Sequence, residues 1–186
     1  MFPLLPAFGI LYGVSLIFRG EQGRSFARAY TNLPRRVKLT YYHIATTESG
    51  NVPIVSRSGV LLARVSEDSY KNMVMEGTGI LPDGRLVNFS GESYTDPTYG
   101  NLYKWILVKS ALGVAGKTLV PFKSIAVDPN VFPIGSVIFI PELGQQFSAD
   151  DVGSLIKGDH IDLFIGSAKN LSRVSNLPSE VTAVLV

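Results

Sequence analysis

The sequence predicts a mainly β chain that closes on itself as a barrel, and three observations carry that reading. Glycine and proline are frequent (18 and 11 of 186 residues), so turns are many. Aromatic and β-branched residues cluster in short runs, the composition of half-buried strands. Those runs do not alternate with long helical patterns, which argues against a parallel α/β sheet and for many short strands in a closed arrangement. A hydrophobic fraction of 46% with only 17% charge supports a packed core and argues against disorder.

The elements follow in chain order. Residues 2–18, FPLLPAFGILYGVSLIF, carry no charge and are about long enough for a signal-peptide core or a short membrane anchor. No basic residue precedes them, so a buried element or an imperfect start site is the other reading of this segment. Residues 19–36 read as a basic linker ending near Pro34. From Arg19 to Lys38 there are six basic residues and one acid, net +5, leaving 11 basic against 14 acidic residues in the body. A basic patch beside an apolar segment suits a membrane surface better than nucleic acid.

The folded body is expected over 37–186. Strand candidates are 37–45 (VKLTYYHIA), 59–66 (GVLLARVS), 102–109 (LYKWILVK), 124–129 (SIAVDP), 135–143 (GSVIFIPEL), 160–166 (HIDLFIG) and 181–186 (VTAVLV). Residues 81–91 read as a hairpin-like unit turning at Pro82-Asp83-Gly84, and 167–178 show a weak helical pattern. With no cysteine and two histidines, thiol chemistry and disulfides are excluded and a zinc hydrolase or a histidine triad has little to draw on. No cofactor and no metal are expected.

Two stretches carry a resemblance: SIAVDPNVFPIGSVIFIPELG (124–144) and ADDVGSLIKGDHIDLFIG (149–166). They hold Ala126-Val127-Asp128-Pro129, Pro133, Gly135, Asp151, Gly153, Ile156-Lys157-Gly158, Ile161-Asp162, Phe164 and Gly166 in order. This resembles the 3D domain, named for its three aspartates. LTYYHIA is similar to that family's first strand and MEGTGILPDG (75–84), with Thr78, to its Thr-Gly loop, while the C-terminal tail from SAKNLSRV to VTAVLV is similar to that of membrane-bound lytic transglycosylase A. The resemblance implies a six-stranded double-psi β-barrel and cleavage of peptidoglycan between N-acetylmuramic acid and N-acetylglucosamine. In that reaction the muramic 6-hydroxyl attacks its own anomeric carbon and leaves a 1,6-anhydro end. It further implies Asp162 as general acid and base, with Asp151 and Asp128 completing the catalytic set. Thr78, Lys157 and Gly153 are its substrate-binding candidates. One departure is Ser154, which stands at the family's second glycine; a positive φ there would strain a serine.

The residues themselves agree with this chemistry. An internal hydroxyl nucleophile leaves the protein only one proton to manage, and a single carboxyl with a raised pKa serves. Asp162 lies in the most apolar setting of any acid in the chain. By strand alternation it shares a face with His160 and Phe164, opposite Ile161, Leu163 and Ile165. Asp150 reads as a solvated neighbour of Asp151, and His160 and His43 as surface strand residues. Asp128, before proline, also suits a plain turn former. The expected protein is therefore a monomeric cell-envelope enzyme acting outside the cytoplasm on glycan strands, associated with the membrane through residues 1–18. The alternatives are a non-catalytic, expansin-like glycan-binding barrel and a hydrolase using water.

Overall fold

The computed structural model describes residues 33–186, so the expectations for residues 1–18 and for most of the linker lie outside the described residues. Eleven strands and two short helices follow in order: β1 (Arg35–Thr46), β2 (Ser49–Ser56), β3 (Leu61–Val65), α1 (Glu67–Glu76), β4 (Thr78–Ile80), β5 (Leu86–Asp96), β6 (Gly100–Val108), β7 (Ser124–Val127), β8 (Val137–Ile140), β9 (Gln145–Asp151), β10 (His160–Ser167), α2 (Leu171–Val174) and β11 (Glu180–Leu185). Among the described residues no helix is long and apolar enough to cross a membrane.

Six strands close a barrel in the order β10-β7-β9-β8-β11-β1, and β1 returns to pair with β10. The predicted six-stranded barrel is thus present, with the β1–β10 and β7–β9 pairs parallel and the remaining pairs antiparallel. Its interior is made by alternate residues of each strand: Leu39, Ile125, Val127, Ile138, Phe147, Ile161, Leu163, Ile165 and Val181 are all buried in one cluster. The odd-numbered apolar residues of β10 point inward, as alternation required.

β1 has twelve residues because it serves two sheets. Lys38 to Tyr42 pair with β10, while Ala45 and Thr46 pair with β4. From β4 a second sheet continues through β5, β6, β2 and β3 over its own core, centred on Val52, Ile54, Met73, Val87 and Trp105. The Pro82-Asp83-Gly84 turn is formed between β4 and β5, with Gly84 at φ +87° where a side chain would be strained.

Four elements escape the sequence pattern: β2, α1, β4 and β9. Helix α1 is polar on most of its surface. Ser66 caps it by accepting from the Ser69 amide, and Glu67 and Asp68 sit at the positive end of its dipole. Only Ser69, Tyr70 and Met73 are buried, so the apolar stripe is too narrow to read from sequence. Gly77 ends it in the left-handed conformation.

The barrel core sets the stability. Phe147→Ala, at 2% exposure, is expected to cost about 3–5 kcal/mol in urea unfolding. Leu155→Ala, at 80% exposure, is expected to cost under ~0.5 kcal/mol.

Candidate functional site

The barrel register builds the site. Thr40 on β1 pairs with Asp162 on β10, Asp162 pairs with Ala126 on β7, and Ala126 pairs with Asp151 on β9. These four residues form one row across the outer face of the barrel. Two interstrand steps separate the aspartates, so their Cα atoms stand ~9–10 Å apart with only an alanine methyl between them.

A β-bulge decides that Asp151 belongs to this row. Ile125 pairs with Ala149, yet the next residue, Ala126, pairs with Asp151, so Asp150 is the extra residue. Phe147 and Ala149 are packed inside the barrel. Regular alternation would send Asp151 inward after them. The bulge turns it outward instead, which is a recognised use of bulges.

Each carboxyl has a hydroxyl donor from β1. The Thr40 hydroxyl donates to Asp162 Oδ1 at 2.6 Å. Thr40 Oγ1 also lies 2.8 Å from His160 Nε2. A hydroxyl has one hydrogen, so when Thr40 donates to Asp162 it accepts from His160. When Asp162 is protonated the same chain runs the other way. The Tyr42 hydroxyl donates to Asp151 Oδ2 at 2.8 Å, and the Val152 amide donates to Oδ1 at 2.9 Å. Tyr42 packs against Phe164, ring centroids 5.2 Å apart, over a small apolar patch with Ala111 and Leu119.

Burial dominates the electrostatics. It raises the Asp162 carboxyl above its ordinary range, against the opposing effects of Thr40, His160 and Lys38. It raises Asp151 to about 6, helped by the charges of Asp162 and Asp150 and opposed by its bonds to Tyr42 and Val152. Burial and the Asp151 charge also push the Tyr42 phenol well up, so Tyr42 stays neutral and remains a donor. The Asp162 charge reaches Asp151 across Ala126 and adds a smaller effect to that of burial.

A third carboxyl comes from helix α1. Glu76, the last residue of α1, accepts from the His43 amide at 2.9 Å, and its other oxygen is 3.9 Å from His43 Nε2. His43 Nδ1 is 3.1 Å from the Ile44 carbonyl, which only accepts, so Nδ1 carries the hydrogen. Burial raises Glu76, and the Asp162 charge adds to it. An acid at the negative end of a helix is unfavourable for the helix, and this was the available sequence signal.

The other expected site residues are placed differently. Asp128 Oδ2 accepts from the Gly158 amide and Oδ1 from the Asn130 amide and side chain, the arrangement of a turn former that ties two loops together. Those bonds, Gly158 foremost, hold its carboxyl below the ordinary range, with Lys157 adding a smaller effect. Lys157 itself is exposed. Thr78 is buried and its hydroxyl donates to Asn88 at 2.9 Å. Gly153 makes room for a neighbour, because a Cβ there would collide with Ile156. Ser154 is exposed and is not among the residues with positive φ, so serine causes no backbone strain.

Asp150 corrects an expectation. It is not solvated but 3% exposed, and its carboxylate is shared by Ser124, Ser148 and Lys117. Among the described residues no group of three or more acids and histidines is disposed to hold a metal ion.

Asp151→Asn tests the burial cost. The folded chain holds this proton up to about pH 6 while the unfolded chain releases it near 4, so the charge opposes folding progressively from pH 4 to 6 and fully above 6. The variant is expected to gain ~1–3 kcal/mol of stability at pH 8 and nothing at pH 4, read by urea unfolding.

Comparison with known proteins bears on the fold. The 3D domain family model matches residues 123–182, which include β7 to β10 and the start of β11. The cell wall-binding protein YocH of Bacillus subtilis (strain 168) is 46% identical over 50 residues, 27% of this chain and 17% of that protein. The putative cell wall shaping protein YabE of the same organism is 36% identical over 93 residues, 50% of this chain and 21% of that protein. The matched region thus spans about a fifth of the length of these curated relatives. Among solved structures, E. coli MltA with bound chitohexaose is similar at a TM-score of 0.61 and 17% identity, covering 81% of this chain and 72% of that one. A membrane-bound lytic murein transglycosylase from Agrobacterium tumefaciens is similar at 0.60 and 15% identity, covering 89% and 79%. At such identity the likeness is one of fold. Residues 123–182 thus match the 3D domain model, within a barrel whose fold is similar to that of the lytic transglycosylase structures.

Proposed function

We propose that this protein cleaves the glycan strands of peptidoglycan as a lytic transglycosylase, working outside the cytoplasm at the cell envelope. The observation that supports this most is the row Thr40–Asp162–Ala126–Asp151: two desolvated carboxyls on one outward face, separated by a methyl group. A structure of similar fold holds a chitohexaose, and two relatives are named for binding or shaping the cell wall.

In this reading Asp162 gives its proton to the glycosidic oxygen as the C1–O bond breaks. The departing sugar leaves as an alcohol. Asp162, now a carboxylate, takes the proton of the muramic 6-hydroxyl as that oxygen bonds to C1. Atoms and charge balance with no water consumed, and the acid is regenerated. Asp151 supports the positive anomeric centre. Its proton and that of Asp162 are linked by repulsion, so loading Asp162 favours an ionised Asp151. Thr40 orients the Asp162 carboxyl, and Tyr42 does the same for Asp151. Asp128 and Gly153 then shape the loops around the row, and Lys157, exposed on the loop that Asp128 ties down, is the candidate cation for substrate.

The names of the curated relatives favour one other reading, a barrel that binds wall glycan without cutting it. Mass spectrometry of digested peptidoglycan separates the two. Wild-type protein is expected to release 1,6-anhydro-muropeptides, and Asp162→Asn to release at least ~10³-fold less, in line with loss of the acid and base together. Sedimentation of both proteins with the wall and cleavage by neither establishes the binding barrel. Products with reducing ends establish a water nucleophile.

The rate is also expected to depend on pH. Asp162 must hold a proton, and burial keeps that proton on it to higher pH than on an exposed carboxyl. Initial rates on purified glycan strands between pH 4 and 8 are expected to fall about tenfold per unit once pH has passed the raised Asp162 value. A flat profile to pH 8 contradicts the assignment of a carboxyl acid.

A further inference from the structure

The sequence places two aspartates side by side, and the fold uses only one of them in the outer row. The residue that is not used is the better anchored. Asp150 Oδ2 accepts from Ser124 on β7 at 2.6 Å, and Oδ1 accepts from Ser148 on β9 and pairs with Lys117. Lys117 Nζ also donates to Ser148 Oγ at 3.2 Å, and Ser124 Oγ accepts from the Val120 amide at 2.9 Å. Burial pushes the Asp150 carboxyl up, and Lys117 with the two serines more than reverses this, leaving it lowered.

Lys117 belongs to a strap, residues 111–119, that crosses from the second sheet to the barrel. Asn88 on β5 grips the strap at both ends of Leu112, accepting from its amide at 3.0 Å and donating to its carbonyl at 2.9 Å. Gly113 lies so close over the bulge that a Cβ would collide with the Asp150 carbonyl and with Leu119. Leu112 and Thr118 bridge the strap to itself. The strap therefore presses on the backbone of Asp150 and holds its side chain with the same few residues.

Asp150 and Asp151 compete for one position. In an unbulged ladder Ala126 would face Asp150, and Asp151 would follow Ala149 into the apolar interior. We propose that Ser124 and Ser148 select the bulged register by capturing Asp150, whose charge Lys117 balances, which makes Asp150 a positioning residue for Asp151. The register selected is the one in which Tyr42 meets Asp151. The second sheet thereby takes part in building the barrel's outer row from a distance, through Asn88 and the strap.

The kinetic arm of the test rests on the proposed glycan cleavage; the spectroscopic arm does not. Nuclear Overhauser contacts are measured between positions 126 and 151, and between the Tyr42 ring and Asp151 Hβ, in wild type, Asp150→Ala and the doubly neutral pair Asp150→Asn with Lys117→Met. Asp150→Ala is expected to lose both contacts. Its kcat on glycan strands is expected to fall at least 30-fold, with KM within threefold. The neutral pair keeps size and hydrogen bonding to the serines, and is expected to recover both contacts and at least a third of the kcat. Retention of both contacts in Asp150→Ala overturns the proposal. Should that variant not fold, Ser124→Ala removes a single donor, and unchanged contacts in it together with a failed recovery in the neutral pair overturn the proposal as well. If wild-type protein cleaves no glycan, the proposed function falls, while the contacts still decide whether Asp150 sets the register.

Discussion

The parallel pairing of β1 with β10 is the constraint on which the rest of the molecule depends. It closes the barrel, and a closed barrel has no free edge to protect. It also fixes which hydroxyl meets which carboxyl. Because Thr40 faces Asp162 and Tyr42 faces Phe164, the outer residues of β1 supply both donors of the site. A shift of one residue would exchange Thr40 and Tyr42 for Leu39 and Tyr41, which now line or border the interior. Barrel closure and site assembly are one choice of register.

The same pairing explains why charge is concentrated where it is costly. Carboxyls are most stable in water, and a chain selected only for stability would not place Asp151, Asp162 and Glu76 where burial raises all three. Asp150 and Asp128 show the opposite solution. Each has its oxygens bonded by donors, and each is lowered. The chain thus sorts its acids into two classes by donor supply. Those with complete donor sets fix loops and bulges, and those short of donors hold a proton to higher pH than an exposed carboxyl does, which favours proton transfer.

How much of this was legible in the sequence follows from the range of the signals. The barrel strands with strong β patterns, Val37 to Ala45 and His160 to Gly166, were readable, and so was the inward set Ile161, Leu163 and Ile165, because alternation is local. The motif supplied Asp151 and Asp162 as a pair. The bulge at Asp150 was not readable, since it depends on Lys117, Ser124 and Ser148, which lie up to 33 residues away along the chain and carry no pattern of their own. Local sequence alone therefore makes Asp150 look solvated, although it is buried. Glu76 was hidden for a different one. Helix α1 owes its existence to caps and three buried residues rather than to an apolar stripe, and the value of its last residue appears only once β1 brings His43 beside it. Ser154, a departure from the family pattern, proved neutral for the backbone because its φ is ordinary.

Ala126 brings these threads together. It is the one residue of the row with no polar group, and it sits between the two aspartates at 3% exposure. Any larger side chain there would stand between the carboxyls and weaken the Asp162 charge effect that adds to the burial of Asp151. A polar one would give either carboxyl a donor and lower it, as donors lower Asp150. Glycine would leave the spacing intact but loosen β7 at the point where the bulge must be held. Alanine is thus the side chain that separates the charges, supplies no hydrogen bond and still packs. The site's chemistry depends as much on what this position lacks as on what its neighbours carry.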